Sequence, residues 1–222
     1  MKNETREQVI AAVRAERLIV IVRGVESEKL IPLAEAMYAG GVRLLEITYR
    51  ADGAVSDEET AGNIRALCGH FGDRMAIGAG TVLTERQVRL TAEAGGKYII
   101  SPNTNETVIR ATREAGLVSI PAAYTPTEIE QAYEAGADFV KLFPVTALGP
   151  GYVKAVRGPL PHIPLLAVGG VDLSNLADYA KAGVCGFGIG GNIVDKAALK
   201  AGDYAAVTAL AGQYVKAVRA LS

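Results

Sequence analysis

The 222-residue sequence has no tryptophan, only two cysteines and only two histidines. Cys68 and Cys185 stand alone without a Cys-x-x-Cys pattern, which favours two buried thiols over a disulfide or a metal pair. The histidines form no metal-ligand spacing with acidic residues, so we expect neither a metal nor another cofactor. Unpaired thiols fit a reducing compartment.

Strong net charge and long apolar runs are also missing. The formal net charge is −1, so no basic field exists to collect nucleic acid or an anionic membrane. The early apolar run Leu18 to Val22 is far too short to cross a bilayer, and the polar start of the chain lacks the apolar core of a signal peptide. We therefore expect a cytoplasmic protein that binds neither nucleic acid nor membrane.

Glycine is abundant instead, at 25 residues, and an Ala-Gly pair recurs along the chain. Each pair follows an amphipathic segment and precedes a short apolar run, as expected where a helix ends at glycine and a strand begins. The middle three pairs lie about 20 residues apart, roughly the length of one compact strand–helix unit. The pairs are Ala39-Gly40, Ala94-Gly95, Ala115-Gly116, Ala135-Gly136 and Ala182-Gly183.

Eight short apolar runs are predicted to be strands that are covered on both faces. Helical segments fill the gaps, and one further helix over Thr5–Ala15 precedes the first strand. This alternation predicts a single (β/α)₈ barrel domain over residues 1–222, in which residues 1–17 supply a helix that closes the barrel. An open doubly wound sheet is the alternative. The predicted strands are Leu18–Val22, Leu44–Thr48, Met75–Ala79, Tyr98–Ser101, Val118–Pro121, Phe139–Phe143, Leu165–Val168 and Gly186–Ile189.

The helices are predicted between these strands, and the stretch from Arg50 to Thr60 is predicted to be the longest loop. Thr125-Pro126-Thr127-Glu128 has the pattern of a capped helix start, with proline at the first helical position. The predicted helices are Glu28–Tyr38, Asn63–Cys68, Glu85–Ala94, Glu106–Glu114, Pro126–Glu134, Tyr152–Val156, Leu173–Lys181 and Tyr204–Leu221.

Lys141 lies inside one apolar strand, Phe139–Phe143. Burial disfavours an ammonium, so the pKa of Lys141 should fall, and a neutral amine can attack a carbonyl to form a Schiff base. A lysine on a solvated strand face is the alternative. The active site of such a barrel lies at the carboxyl ends of its strands, where a carboxylate and two arginines accompany Lys141, and this convergence favours a catalytic role. These three residues are Glu46, Arg23 and Arg50.

Glu46 lies between two apolar residues of a buried strand, where a carboxylate must be paired or have a raised pKa. It is interpreted as a general acid/base that serves the Schiff base, with a structural ion pair as the alternative. Gly169-Gly170 and Gly190-Gly191 end the last two strands, where backbone N–H groups commonly bind phosphate, although glycines also serve tight turns. Asn192 is suited to cap a helix or to donate to a phosphate oxygen.

From Leu18 to Val194 the chain resembles the 2-keto-3-deoxy-6-phosphogluconate (KDPG) / 4-hydroxy-2-oxoglutarate (KHG) aldolases, class I aldolases on a (β/α)₈ barrel. The resemblance rests on several short motifs. They are Ile21-Val22-Arg23, Leu45-Glu46-Ile47-Thr48-Tyr49-Arg50, Gly78-Ala79-Gly80-Thr81-Val82, Ile100-Ser101-Pro102, Thr125-Pro126-Thr127-Glu128, Lys141-Leu142-Phe143-Pro144 and the two glycine doublets.

The resemblance implies cleavage of a 2-keto-3-deoxy sugar acid, KDPG or KHG, to pyruvate and an aldehyde, glyceraldehyde 3-phosphate or glyoxylate. Entner–Doudoroff carbohydrate metabolism is the implied context. A homotrimer that needs no metal is implied as well. Lys141 would be the Schiff-base lysine and Glu46 the acid/base. Around them, Arg50 and Thr81 would lie near the pyruvyl carboxylate, Pro102 and Phe143 would shape the pocket, Arg23 would line the mouth, and Gly169, Gly170, Gly190 and Gly191 would hold the phosphate.

Several positions depart from the family pattern. Ala122 replaces a glycine, Asn192 replaces a serine, and Val145-Thr146 replaces Ala-Glu. The pyruvate half of the site is intact, whereas the half that selects the aldehyde differs. Two other functions stay open: a phosphosugar decarboxylase or epimerase, which would form no covalent adduct with pyruvate, and a sugar-phosphate-binding barrel without activity.

Overall fold

The structure, a computed structural model, describes residues 5–221 and shows one sheet of parallel strand segments surrounded by helices. The segments are β1 (Leu18–Val22), β2 (Leu44–Thr48), β3 (Ala76–Gly80), β4 (Tyr98–Ile100), β5 (Val118–Ile120), β6 (Ala122–Ala123), β7 (Val140–Leu142), β8 (Leu165–Val168) and β9 (Gly186–Ile189). They pair in the order β5-β4-β3-β2-β1-β9-β8-β7-β6.

The sheet nearly closes on itself at Pro121. The two ends of the sheet, β5 and β6, lie on either side of this one residue, so they occupy a single strand position of the barrel. Proline has no N–H to donate to a ladder, which explains why the predicted strand Val118–Pro121 appears as two segments. The predicted (β/α)₈ barrel is confirmed, and the open-sheet alternative is wrong.

Helices cover the outside of the sheet, and an additional N-terminal helix precedes β1 as predicted. The predicted cap at Thr125 is confirmed, because its hydroxyl accepts from the Glu128 N–H while the Glu128 carboxylate accepts from the Thr125 N–H. The helices are α1 (Arg6–Glu16), α2 (Ser27–Ala39), α3 (Asp57–Phe71), α4 (Glu85–Glu93), α5 (Glu106–Glu114), α6 (Pro126–Glu134), α7 (Gly149–Arg157), α8 (Leu176–Lys181), α9 (Lys196–Ala201) and α10 (Tyr204–Arg219).

Two helices differ from the sequence-based prediction: α3 is longer than the predicted Asn63–Cys68, and α9 was not predicted. The predicted loop ends early, because α3 already begins at Asp57, where Ser56 caps the helix by accepting from the Glu59 N–H. Three acidic residues in the first turn further favour this start through the helix dipole. The short helix α9 was missed; Asp195 caps it by accepting from the Ala197 and Ala198 N–H groups.

Side chains alternate along each strand between two buried layers. Val140 and Leu142 of β7 pack outward against the helices, whereas Phe139 belongs to a second cluster inside the barrel. β2 repeats the pattern, with Leu45 outward and Leu44 inward. This period of two places Lys141 and Glu46 on the inner face of their strands.

Helix α1 packs against the amino-terminal ends of the strands. Its Val9 and Val13 are each 1% exposed and belong to the cluster that fills the barrel, and burial of each contributes about 1.5–3 kcal/mol. Asp138 supports this packing, since its carboxylate accepts from Arg6 of α1, from Arg113 and from the Ser119 N–H at 2.9 Å. Residues 1–4 of the predicted closing segment lie outside the described residues. No helix within residues 5–221 is long and apolar enough to span a membrane.

We predict that Asp138→Asn lowers the free energy of unfolding by about 1–3 kcal/mol, because it removes the charge that two arginines share. Thermal unfolding followed by circular dichroism measures this change. Asp178→Asn is the matched control, because the Asp178 pair with Lys181 is exposed and should contribute under about 0.5 kcal/mol. Equal melting temperatures for the two variants would contradict the role of Asp138.

Candidate active site

Lys141 of β7 and Glu46 of β2 project into the barrel from opposite halves of the sheet. Lys141 is 6% exposed and Glu46 only 1% exposed, although both side chains are ionisable. Glu46 Oε2 is buried without a hydrogen-bond partner among the described residues. Buried polar groups are nearly always paired in proteins, so an unpaired carboxylate oxygen beside a buried amine is typical of a functional site.

The environment shifts both groups toward their neutral forms. Burial is the largest influence and lowers the pKa of Lys141, and the positive charge of Arg23 lowers this pKa further, while the negative charge of Glu46 opposes both. Burial likewise raises the pKa of Glu46, against the attraction of Lys141 and Arg23. The result is an amine that loses its proton, and a carboxyl group that gains one, more readily than in water.

Phe143 covers the lysine from one side. The Lys141 Nζ lies 4.6 Å from the centroid of the Phe143 ring, within the range of a cation–π contact. Gly169 leaves room for this ring, because a methyl group at position 169 would approach the ring atoms to 3.1 Å. Gly169 also has φ +83°, a left-handed conformation that glycine adopts without strain.

Arg23 and Thr81 meet on the opposite side of the opening. The Arg23 Nη2 donates to the Thr81 Oγ1 at 2.9 Å. Thr81 has φ +57°, which is unusual for a β-branched residue and costs of order 1–3 kcal/mol. Such strain is retained where the backbone must aim a side chain, and here it presents the threonine hydroxyl to the guanidinium.

Gly80 provides the space that Glu46 occupies. A methyl group at position 80 would overlap the Glu46 carboxylate. Thr48 lies opposite Gly80 in the parallel pair of β2 and β3, and its buried hydroxyl also lacks a hydrogen-bond partner among residues 5–221. Gly80 of the Gly-Ala-Gly-Thr motif is therefore required by the packing of the Glu46 carboxylate.

One cavity of about 450 Å³, called here the lysine cavity, joins these side chains. Eleven of the twelve residues predicted for the site line it, together with the apolar Ile21, Val168 and Val171. The eleven are Arg23, Glu46, Thr81, Pro102, Lys141, Phe143, Gly169, Gly170, Gly190, Gly191 and Asn192.

Arg50 is the one predicted residue that the structure does not bring to the lysine cavity. Its Nε donates to Asp52 Oδ1 at 3.0 Å, and a second guanidinium N–H donates to the other carboxylate oxygen. The bond to Arg50 is the largest influence that lowers the pKa of Asp52 to about 2. Arg50 instead lines a neighbouring groove.

The glycine doublets are held in place by side-chain amides and a threonine. Asn175 donates to the Gly170 carbonyl at 2.8 Å, and Asn192 donates to the Val171 carbonyl at 3.0 Å. Sequence reasoning missed Thr146, whose hydroxyl and N–H both donate to the Gly169 carbonyl. Its departure from the Ala-Glu pattern was the available signal. Thr146 and Asn192 thus hold the loops in which the doublets lie.

Neither cysteine nor histidine contributes to this cavity. Cys68 and Cys185 are half-buried free thiols, and burial raises the pKa of each. Within residues 5–221, no three His, Cys, Asp or Glu side chains cluster closely enough to hold a metal ion.

The fold and the lysine cavity together define the class of this protein: a (β/α)₈ barrel with a buried lysine and a buried carboxylate at the carboxyl ends of its strands. Sequence comparison identifies the family. A model of the family "Aldolase: KDPG and KHG aldolase" matches residues 9–210. The chain therefore belongs to the KDPG and KHG aldolase family and is a class I aldolase, a lyase.

Individual relatives agree with this family. The chain is 39% identical to the probable 2-dehydro-3-deoxy-6-phosphogalactonate aldolase of Rhizobium meliloti over 84% of this chain and 85% of that protein. It is 34% identical to the KHG/KDPG aldolase of Escherichia coli K12, over 90% and 91% of the two chains.

A solved structure of KDPG aldolase from Legionella pneumophila, which holds pyruvate as a covalent carbinolamine intermediate, is also similar. It superimposes with a TM-score of 0.82 at 29% identity, covering 94% of this chain and 97% of that one. Class I aldolase membership excludes the decarboxylase, epimerase and non-catalytic alternatives.

We predict that Gly80→Ala lowers the free energy of unfolding by at least about 1–3 kcal/mol, because the new methyl group competes with Glu46 for the same space. Gly69→Ala is the matched control: Gly69 lies within α3 with no atom within 4 Å of the added methyl group, so this change should stabilise by up to about 1 kcal/mol. Chemical denaturation measures both. Stabilisation by both substitutions would show that Glu46 does not occupy this position.

Proposed function

We propose that this aldolase cleaves a 2-keto-3-deoxy-6-phospho sugar acid to pyruvate and glyceraldehyde 3-phosphate through a Schiff base on Lys141. The observation that carries this proposal is the buried amine of Lys141, whose pKa burial lowers, in one cavity with the buried carboxylate of Glu46. An amine in this state is the nucleophile that a class I aldolase requires.

The reaction begins at the lysine. The neutral Nζ of Lys141 attacks the C2 ketone, and the acid form of Glu46 then donates its proton to the carbinolamine hydroxyl, which leaves as water and gives an iminium. Glu46 removes the proton of the C4 hydroxyl, the C3–C4 bond breaks, and its electron pair moves into the iminium to give an enamine as the aldehyde leaves. Glu46 then returns this proton to C3, and hydrolysis of the iminium releases pyruvate, restores the neutral amine and gives the liberated proton back to the Glu46 carboxylate.

Burial of Glu46 suits both of its roles, as the base that accepts the C4 hydroxyl proton and as the acid that donates a proton to C3. A carboxylate with a raised pKa is a stronger base than an exposed one, and its acid form persists closer to neutral pH. The Oε2 atom, which has no partner among the described residues, is free to accept the proton. The absence of a side chain at Gly80 leaves the space that the carboxylate occupies at the wall of the lysine cavity.

The residues around the pair are assigned to substrate binding. Arg23, bonded to Thr81, is the guanidinium of the lysine cavity and attracts the anionic substrate. Pro102 and Phe143 provide apolar walls that limit water around the iminium. The Arg50 guanidinium already binds both carboxylate oxygens of Asp52. To bind the substrate carboxylate, Arg50 must first release Asp52, and the substrate carboxylate then takes its place in the same two-bond geometry.

The choice of aldehyde depends on the half of the lysine cavity that Val168 and the glycine doublets line. The relatives named above act, by their names, on phosphogalactonate-derived and phosphogluconate-derived acids, which differ in configuration at C4. Val168 gives this half of the cavity an apolar wall, and the glycine doublets offer backbone N–H groups for the phosphate. Both C4 epimers and 4-hydroxy-2-oxoglutarate are therefore the substrates to compare. The homotrimer and the cytoplasmic location stay predictions.

We predict that pyruvate and sodium borohydride together convert the protein to a reduced pyruvyl adduct on the peptide that carries Lys141, because borohydride traps the iminium. Intact and peptide mass spectrometry detect it. Lys141→Met, which keeps the buried volume, should form no adduct and lose cleavage. Lys154→Met, at an exposed lysine of α7, is the control and should react like the unaltered protein. An adduct that persists in Lys141→Met would assign the Schiff base to another lysine.

A further inference from the structure

Thr81 opens the loop of residues 81–84 that follows β3, called here the β3 loop. Just before Thr81, the Tyr49 N–H donates to the Gly80 carbonyl at 2.8 Å. Just after it, the Val82 N–H donates to the Ile100 carbonyl at 3.2 Å, and Val82 itself is fully buried. These contacts help to hold Thr81 at its strained φ of +57°.

One side chain of α4, that of Gln87, extends this support along the β3 loop. Gln87 is 8% exposed, and its Oε1 accepts from the Leu83 N–H at 2.8 Å. Its Nε2 donates to Oδ1 of Asp57, the first residue of α3, at 3.0 Å. The carbonyl and the amino group of the amide thus serve different partners, so a single orientation of the side chain satisfies both.

The contacts form a chain from α3 to the opening of the lysine cavity. Asp57 is a firm anchor, because its other carboxylate oxygen accepts from the Arg86 Nη1 at 2.7 Å. Thr81, at the far end of the chain, lines the lysine cavity and accepts from Arg23 at 2.9 Å. A displacement of the β3 loop would therefore move the hydroxyl that binds the Arg23 guanidinium.

We infer that Gln87 is a positioning residue for substrate binding, because its amide holds the β3 loop so that the Thr81 hydroxyl stays on Arg23. This inference rests on the proposed function, in which Arg23 and Thr81 bind the anionic substrate. It adds to the site a residue that does not line the lysine cavity and acts through Thr81. A role of Gln87 confined to the start of α4 is the alternative.

The test measures the pyruvate concentration that gives the half-maximal rate of the borohydride-trapped adduct on Lys141. Gln87→Leu should raise this half-saturating concentration about tenfold, because Thr81 then relaxes from its strained conformation and leaves Arg23. The rate at saturating pyruvate should change by less than about threefold, since Lys141 and Glu46 keep their surroundings.

An exchange of the two partner groups tests the bonds themselves. In Gln87→Glu/Asp57→Asn, the carboxylate at position 87 accepts from the Leu83 N–H and from the amide at position 57, and the net charge is unchanged. The half-saturating concentration should return to within about threefold of that of the unaltered protein. A concentration as high as that of Gln87→Leu would overturn the inference.

Thr81→Val removes the hydroxyl and keeps the branched shape, so it tests whether Gln87 acts through Thr81. In this background, Gln87→Leu should raise the half-saturating concentration by less than about threefold, because the bond to Arg23 is already lost. A further rise of about tenfold would overturn the inference, since independent effects multiply.

Gln8→Leu is the matched control. Gln8 Oε1 also accepts from a backbone N–H at the start of a helix, that of Thr5 at 2.7 Å, but in α1 at the amino-terminal ends of the strands. Its half-saturating concentration should equal that of the unaltered protein, and a value for Gln87→Leu within about twofold of this control would overturn the inference. Absence of any adduct in the unaltered protein would instead reject the proposed function itself.

Discussion

The structure depends on one electrostatic conflict, the burial of the Lys141 amine and the Glu46 carboxylate at the carboxyl ends of the strands. Removing two charges from water costs several kcal/mol per ion, and an ion pair recovers this only with good geometry. Here each group relieves part of the cost by shifting toward its neutral form. In the proposed function, that shift makes the amine a nucleophile and the carboxyl group a carrier of protons.

Much of the surrounding architecture serves to keep this pair buried and correctly spaced. Gly80 leaves room for the carboxylate, Gly169 leaves room for the Phe143 ring over the amine, and the strained Thr81 bonds Arg23 at the opening. The barrel supplies rigid strands from which both side chains project inward. At the other end of the strands, Val9 and Val13 of α1 pack into the inner cluster.

The sequence was most informative where an ionisable residue interrupts a run of apolar residues. A lysine and a glutamate within apolar strands could be recognised because period-two alternation fixes the face on which they lie. Arg50 was expected near the pyruvyl carboxylate, but the structure pairs it with Asp52 on a loop whose path no periodicity determines. The start of α3 at Asp57 has a local signal in the Ser56 cap and the acidic first turn, although the same acidic residues are also typical of a solvated loop. Thr146 acts through a contact between two loops far apart in sequence, which only the fold reveals.

The most direct test of the buried Lys141–Glu46 pair is the pKa of Lys141. Heteronuclear NMR of its labelled ε-carbon and amine measures this pKa in three proteins. In the unaltered chain the pKa should lie below the ordinary lysine value because the amine is buried. Glu46→Gln should lower the pKa further, since the opposing negative charge is removed, whereas Arg23→Gln should raise it. Opposite shifts in the two variants would support the account. An ordinary pKa in the unaltered protein, unmoved by either substitution, would contradict it.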